Sequence, residues 1–387
     1  MVSALESGAR PCQHAVPGSA RSTFTCVIFR EFIMFRQLFR GFLSVLIGGI
    51  GGFVFWKLGL PLPWMMGSMM ATAIASVWGY QVASLTPVRP LTLAVVGTML
   101  GSSFTASFFL DLQRLAVPMV GLFASSVIGA VVAYAALRRF STLSPETAYF
   151  AAMPGGIVEM VTMAEENGGD ARTVALMHAS RIFLVVLCLP FIFEFMTGMP
   201  AARSTGAMLS VYEVPATDWL WFAGVAFAGI ALSQLRVIPI RQMLAPMLVS
   251  MVVHVAGWTD FKLPFELIAV AQVLLGIAIG ARFAGISRHF VFRTLLLSMM
   301  TTGLLIACAV LVAMAVAVLA DMMFPSLLLS YAPGGLAEMG LIALAMELDV
   351  ALVSASHLAR IVTVVIVATL VFNGLKRRLF TADRTVG

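Results

Sequence analysis

Residues 154–181 read PGGIVEMVTMAEENGGDARTVALMHASR, and residues 333–360 read PGGLAEMGLIALAMELDVALVSASHLAR. A shift of 179 places Pro154, Gly155 and Gly156 on Pro333, Gly334 and Gly335. It also places Glu159 on Glu338, Asp170 on Asp349, His178 on His357 and Arg181 on Arg360. Between residues 154 and 186 there are 13 identities in 33 ungapped positions. The polar matches carry the weight, because any two apolar helices share Val and Ala. Upstream, Gly97 and Gly101 meet Gly276 and Gly280, and Arg114 meets Arg293. The chain reads as an internal duplication: an extension over 1–34, one repeat over 35–216 and a second over 217–380.

The composition says where such a duplication resides. Of 387 residues, 60% are hydrophobic and 11% charged, with a mean hydropathy of +1.00. Soluble domains hold about 45–50% apolar and about 25% charged residues. An ordinary soluble enzyme is excluded, and so is a disordered chain, which needs few apolar residues. The apolar residues come in runs rather than alternating, which argues against a lipid-facing barrel. A polytopic helical membrane protein remains. The net charge of +6 comes from 24 basic and 18 acidic residues. The bases sit singly or in pairs between apolar runs, as orientation by the positive-inside rule produces, and no nucleic-acid surface is expected. Cys12, Cys26, Cys188 and Cys308 form no Cys-x-x-Cys pair, so neither a disulfide frame nor a thiolate metal site is expected.

Apolar runs lie at about 41–56, 60–80, 91–110, 115–137, 173–198, 219–235, 237–257, 264–281, 294–320 and 350–374. Each approaches the roughly 20 residues that cross a bilayer. Two more, at about 145–164 and 324–346, contain the Pro-Gly-Gly and a Glu. If those two cross, the halves are parallel; if they dip in and return, the halves are inverted. Thirteen informative bases distinguish the two arrangements. Ten spans put nine inside and four outside, whereas twelve put five inside and eight outside. The expectation is an all-α fold of about ten spans in two inverted five-span repeats, with both termini cytoplasmic. Residues 1–33 hold only a short apolar run, Phe24 to Phe29. They read either as a cytoplasmic tail or as sequence ahead of a translation start at Met34, and the basic stretch from Met34 to Arg40 favours the latter.

Pro and paired Gly interrupt a helix, and backbone groups freed at membrane depth must find partners or line a wet cavity. Each Pro-Gly-Gly is therefore expected to begin a half-helix whose partly positive N-terminus can receive an anion. Alternatively Glu159 and Glu338, in the first turn, satisfy their own helix starts. His178 and Arg181 share a face, as do His357 and Arg360. Asp170 and Asp349 fit N-caps better than ligands. An arginine inside a span costs at least about 2.5–3.5 kcal/mol. Pairing of Glu159 with Arg181, and of Glu338 with Arg360, within a repeat or across the inverted pair, would offset that. One reading is a buried ion pair that pins the hairpin. The other is a polar cavity at a pseudo-twofold axis, with His178 and His357 available to carry a coupling proton. Gly48 to Gly52 are packing residues, and His254 and Asp260 have no evident partner.

The duplicated motif with about ten spans resembles the bacterial AbrB family of integral membrane proteins, also labelled ammonia monooxygenases. The resemblance covers about residues 35–380. It implies a multi-pass protein of the bacterial inner membrane associated with regulation of gene expression. The family shares its name with a soluble DNA-binding regulator, of which this sequence has no domain. The monooxygenase label finds no support in the residues: a copper site wants clustered imidazoles, and the five histidines contain no His-x-His or His-x-x-x-His. We expect no catalytic residue, metal or cofactor. The expected partners are the lipid bilayer and a small-molecule or ion ligand, with homo-oligomerisation left open. The expected ligand-binding and translocation residues are the two copies of Pro-Gly-Gly, Glu, Asp, His and Arg quoted above. The leading functional expectation is a secondary transporter of a small, anionic solute; a membrane-embedded sensor is the alternative.

Overall fold

The computed structural model describes residues 20–83, 85–110, 112–197, 210–235 and 240–375. Among these residues the fold is all helical. The first half contains α1 (Ala20–Lys57), α2 (Pro63–Val77), α3 (Arg89–Gly101), a short α4 (Ala106–Leu110), α5 (Ala116–Phe140), α6 (Pro145–Ala152), α7 (Ile157–Glu166) and α8 (Ala171–Thr197). The second contains α9 (Ala216–Leu232), α10 (Arg241–Val255), α11 (Phe265–Gly280), α12 (Arg288–Ala320), α13 (Phe324–Tyr331), α14 (Leu336–Ala345) and α15 (Val350–Leu375). Shifted by 179, α6 and α7 coincide with α13 and α14 to the residue. Helix α1 begins upstream of Met34, while residues 1–19 lie outside the described residues.

Among the described residues six helices are long and apolar enough to cross a membrane: Arg36–Lys57, Gln113–Phe140, Ala171–Met196, Phe265–Phe283, Arg288–Ala320 and Val350–Phe372. The four other apolar runs form shorter helices: α2, α3, α9 and α10, of 15, 13, 17 and 15 residues. At 1.5 Å per residue these reach roughly 20–26 Å, short of the roughly 30 Å hydrocarbon core. Proline marks two of the starts. Pro63 and Pro90 occupy first-turn positions, where a missing N–H costs nothing.

The short helices are packed across the halves. Helix α3 lies against α10, and α2 against α11. Lipid tails give helices no hydrophobic reason to associate, so close contact of small residues must hold such seams. A Cβ on Gly97 would strike the Met243 carbonyl oxygen, and one on Gly101 the Met247 carbonyl oxygen. On the other seam, Gly276 sits against Ser68 and the Met65 carbonyl, and Gly280 against Thr72 and the Met69 carbonyl. The Ser250 hydroxyl donates to the Thr98 carbonyl (2.7 Å), and the Ser76 hydroxyl to the Gly280 carbonyl (3.1 Å). Residue numbers rise together along both seams, so each pair of helices runs parallel. Along α5 and α12 they run opposite: Gly121 meets Val316, and Gly129 meets Leu305.

Candidate functional site

Each Pro-Gly-Gly is the turn of a helical hairpin. The helix stops at Ala152 and restarts at Ile157, and stops at Tyr331 and restarts at Leu336. The backbone N–H of Asp170, just past α7, donates to the Thr147 hydroxyl at the start of α6 (2.9 Å). The matched pair, Asp349 to Ser326, stands at 3.5 Å. Two half-helices whose outer ends touch cannot lead in opposite directions.

Asp170 and Asp349 close these hairpin bases as N-caps. Asp170 accepts from the Arg172 N–H (3.0 Å) and the Thr173 hydroxyl, and Asp349 from the Leu352 N–H (2.9 Å). They lie at the opposite end of the hairpin from the break.

At the break, the arginines and histidines meet backbone. The Arg181 guanidinium donates to the Met153 carbonyl (2.8 Å) and the Ala151 carbonyl. Arg360 donates to the carbonyls of Ala332 (2.6 Å) and Gly334 (2.7 Å). A broken helix leaves such carbonyls short of helical donors, at the negative end of its dipole, although the Ala332 carbonyl also accepts from the Gly334 N–H (2.9 Å). The expected pairing of Glu159 with Arg181 and Glu338 with Arg360 is therefore corrected. Neither arginine bridges to its glutamate, because the carbonyls exposed by the same break are nearer. Both glutamates turn instead to their own helix starts. A Cβ on Gly156 would run into a carboxylate oxygen of Glu159, and one on Gly335 into that of Glu338. Each Glu sits three residues past its N-cap glycine, the reach-back position of a capping box.

The histidines are engaged too. His178 Nε2 faces the Phe150 carbonyl and His357 Nε2 the Leu329 carbonyl, each at 3.0 Å. A ring nitrogen facing a carbonyl must be the N–H, which leaves Nδ1 of His357 as acceptor for Arg360 (2.6 Å). In this arrangement a second proton on His357 would oppose the Arg360 donor. The expected role of His357 as proton carrier is therefore at odds with the contacts it makes.

The two motif copies approach one another: Arg181 and Arg360 lie within electrostatic reach, as do His178 and Arg282. Several buried polar atoms near the breaks have no hydrogen-bond partner among the described residues: Arg181 Nε, Arg360 Nε, and the hydroxyls of Ser180, Ser354 and Ser356. A cavity of about 310 Å³, almost wholly apolar, lies between α5, α6 and α15 and touches Met153 and Pro154. Among the described residues no group of three or more His, Cys, Asp or Glu could hold a metal ion.

Sequence reasoning missed two pairs of residues. Thr147 and Ser326 close the hairpin bases, and both are hydroxyl residues at the shift of 179, a signal that was available. Arg89 and Arg282 stand near Glu338, although both read as orientation charges. No local pattern separates those two from other bases at helix ends.

Comparison with known proteins gives the chain a family. Residues 64–376 match the family described as "Transition state regulatory protein AbrB". The chain is 28% identical over 318 residues to "Putative regulator AbrB" of Escherichia coli (strain K12), covering 79% of this chain and 88% of the relative. It is 25% identical over 357 residues to "Uncharacterized protein YhjN" of Bacillus subtilis (strain 168), covering 85% and 91%. With four-fifths of its length inside the family match, the chain belongs to the AbrB family.

Proposed function

We propose that this protein is a secondary transporter of a small anionic solute, built from two inverted repeats around paired helical hairpins. The observation that carries the reading is the direction of the helix seams. Parallel halves would run the third helix of one half antiparallel to the second of the other. Inverted halves run them parallel, as Gly97 on Met243 and Gly101 on Met247 do. For the fourth helices, α5 and α12, inversion requires opposite directions, and their contacts follow that rule. Two hairpins entering from opposite faces, with their breaks converging, match the broken-helix plan of inverted-repeat transporters. The unpartnered polar atoms beside the breaks suit a route for a polar solute. No phosphate loop follows any glycine run, so an ion gradient would supply the energy. We read the chain as non-enzymatic, and as a multi-pass inner-membrane protein with cytoplasmic termini. The printed name of the E. coli relative favours a second reading, a membrane-embedded regulator. Uptake of labelled small carboxylates into proteoliposomes separates the two. Gradient-driven uptake lost in Glu338→Gln supports transport. An absence of flux alongside a specific captured partner would overturn it.

A further inference from the structure

A cavity of about 930 Å³ opens at one end of α1, and none of its lining residues belongs to either hairpin. Its walls are the first turns of the span Arg36–Lys57, the loop from α2 to α3 and the turn after α11. Gln37, Arg40 and Gln81 give it polar groups, and Leu38, Phe42 and Val82 give it apolar ones. Arg40 is the one charged residue among the described residues that line it. Its half-buried guanidinium has no acceptor among the described residues.

Hydrogen bonds and packing fix the frame. The Ser44 hydroxyl donates to the Arg40 carbonyl (2.8 Å) and accepts from the Ala83 N–H (2.9 Å), which pins the loop to α1 beside Arg40. Leu85 takes a left-handed conformation and lays its side chain over Gly41. A preformed frame spares a ligand the cost of ordering it.

Position along the span says what surrounds the cavity. The 22 residues from Arg36 to Lys57 reach roughly 33 Å, about the depth of the hydrocarbon core. At the far end Lys57 lies over the rings of Trp56 (4.8 Å) and Phe53 (5.6 Å), an arrangement suited to a membrane interface. Arg40, one turn in from the other end, then stands at headgroup level. Leu38, Phe42, Val45, Leu46 and Phe53 share one face of α1, and all are exposed. Leu38 and Phe42 also wall the cavity, so this apolar stripe begins at its mouth. Gln37 and Arg40 lie off that face, on the side toward the loop.

We propose that this cavity binds the headgroup of an anionic phospholipid, whose acyl chains lie along the α1 stripe. A phosphodiester carries one negative charge, and its two free oxygens accept from the planar fork of Arg40. A zwitterionic head brings an ammonium as well, and the lining offers it no carboxylate. A glycerol head brings hydroxyls, which the amides of Gln37 and Gln81 can partner. A soluble phosphate ester would leave the apolar wall against water. The lipid ties α1 to the loop that leads into α3, the helix of the cross-repeat seam with α10. The site relies on the membrane location alone and stands whether or not the protein carries a solute.

The full chain in detergent is titrated with phosphatidylglycerol, and with phosphatidylcholine of the same acyl chains, and bound lipid is counted by native mass spectrometry. One phosphatidylglycerol is expected to be retained in preference to phosphatidylcholine. Arg40→Gln should weaken its binding about ten- to a hundredfold, the scale of one charged hydrogen bond. Arg40→Lys, which keeps the charge and loses the fork, should fall between. Arg241→Gln, outside the cavity, should match the unsubstituted protein. Should Arg40→Gln not fold, Arg40→Lys and Gln81→Ala carry the comparison. A photoreactive group on the acyl chain should mark α1 between Phe42 and Phe53. Glycerol 3-phosphate, the soluble source of the same phosphate chemistry, should displace nothing. Equal retention of the two lipids, unchanged binding in the Arg40 and Gln81 variants, no adduct on α1, or displacement by glycerol 3-phosphate overturns the site.

Discussion

Replacing Arg360 by Met tests what holds the second break together. The swap keeps an unbranched stem and removes charge and donors. Three close contacts are then lost, to the carbonyls of Ala332 and Gly334 and to Nδ1 of His357, with a long fourth to the Tyr331 carbonyl (3.5 Å). Hydrogen bonds to a charged group contribute about 2 kcal/mol each, or about 6 kcal/mol together. Against this stands the relief of burying no charge, about 3 kcal/mol on insertion scales. The carbonyl contacts win, and Arg360→Met should destabilise the protein by about 3 kcal/mol. Arg181 donates to two acceptors, Ala151 and Met153, rather than three. The same reasoning leaves Arg181→Met only about 1 kcal/mol less stable. Reversible unfolding by SDS in mixed micelles measures both. An Arg360→Met variant as stable as the parent, or a larger loss at Arg181, would refute the idea that these arginines serve the broken helix ends.

Three further outcomes follow from packing and topology. Gly97→Ala and Gly276→Ala push a methyl into the opposing helix and should cost about 1–3 kcal/mol each. Gly224→Ala, with nothing within 4 Å of its added methyl, should be neutral or gain up to about 1 kcal/mol in helix propensity; thermal melting in detergent checks all three. In a cysteine-free background, Glu166→Cys and Met323→Cys mark the bases of the two hairpins and should react with a membrane-impermeant maleimide from opposite faces. Labelling from one face sinks the inverted arrangement. Asp170→Ala removes an N-cap and should lose about 1 kcal/mol of stability while solute binding stays unchanged. A solute affinity that falls with it would make Asp170 a ligand.

Much of the architecture was legible because its signals are local. Proline and paired glycine break a helix wherever they fall, so the ends of α6 and α13 were readable from Pro154 and Pro333. The duplication was readable from polar identities that chance does not supply. Span lengths were less readable: the runs at 60–80 and 91–110 carry no charged residue, yet α2 and α3 cover 15 and 13 residues. Hydropathy averages over turns such as the one at Leu62, which takes a left-handed conformation just before Pro63.

By itself the sequence determined the class, the repeat and the positions of the breaks, since each depends on neighbouring residues or on composition. Only the tertiary structure decided what the motif residues touch. A guanidinium is equally satisfied by a carboxylate or by a bare carbonyl, and its choice is set by which lies about 3 Å away. That distance is fixed by how α8 and α15 lie along their hairpins, across some 28 residues of chain. The same holds for Arg282 and Arg89, far apart in sequence and neighbours only because α3 packs against α11.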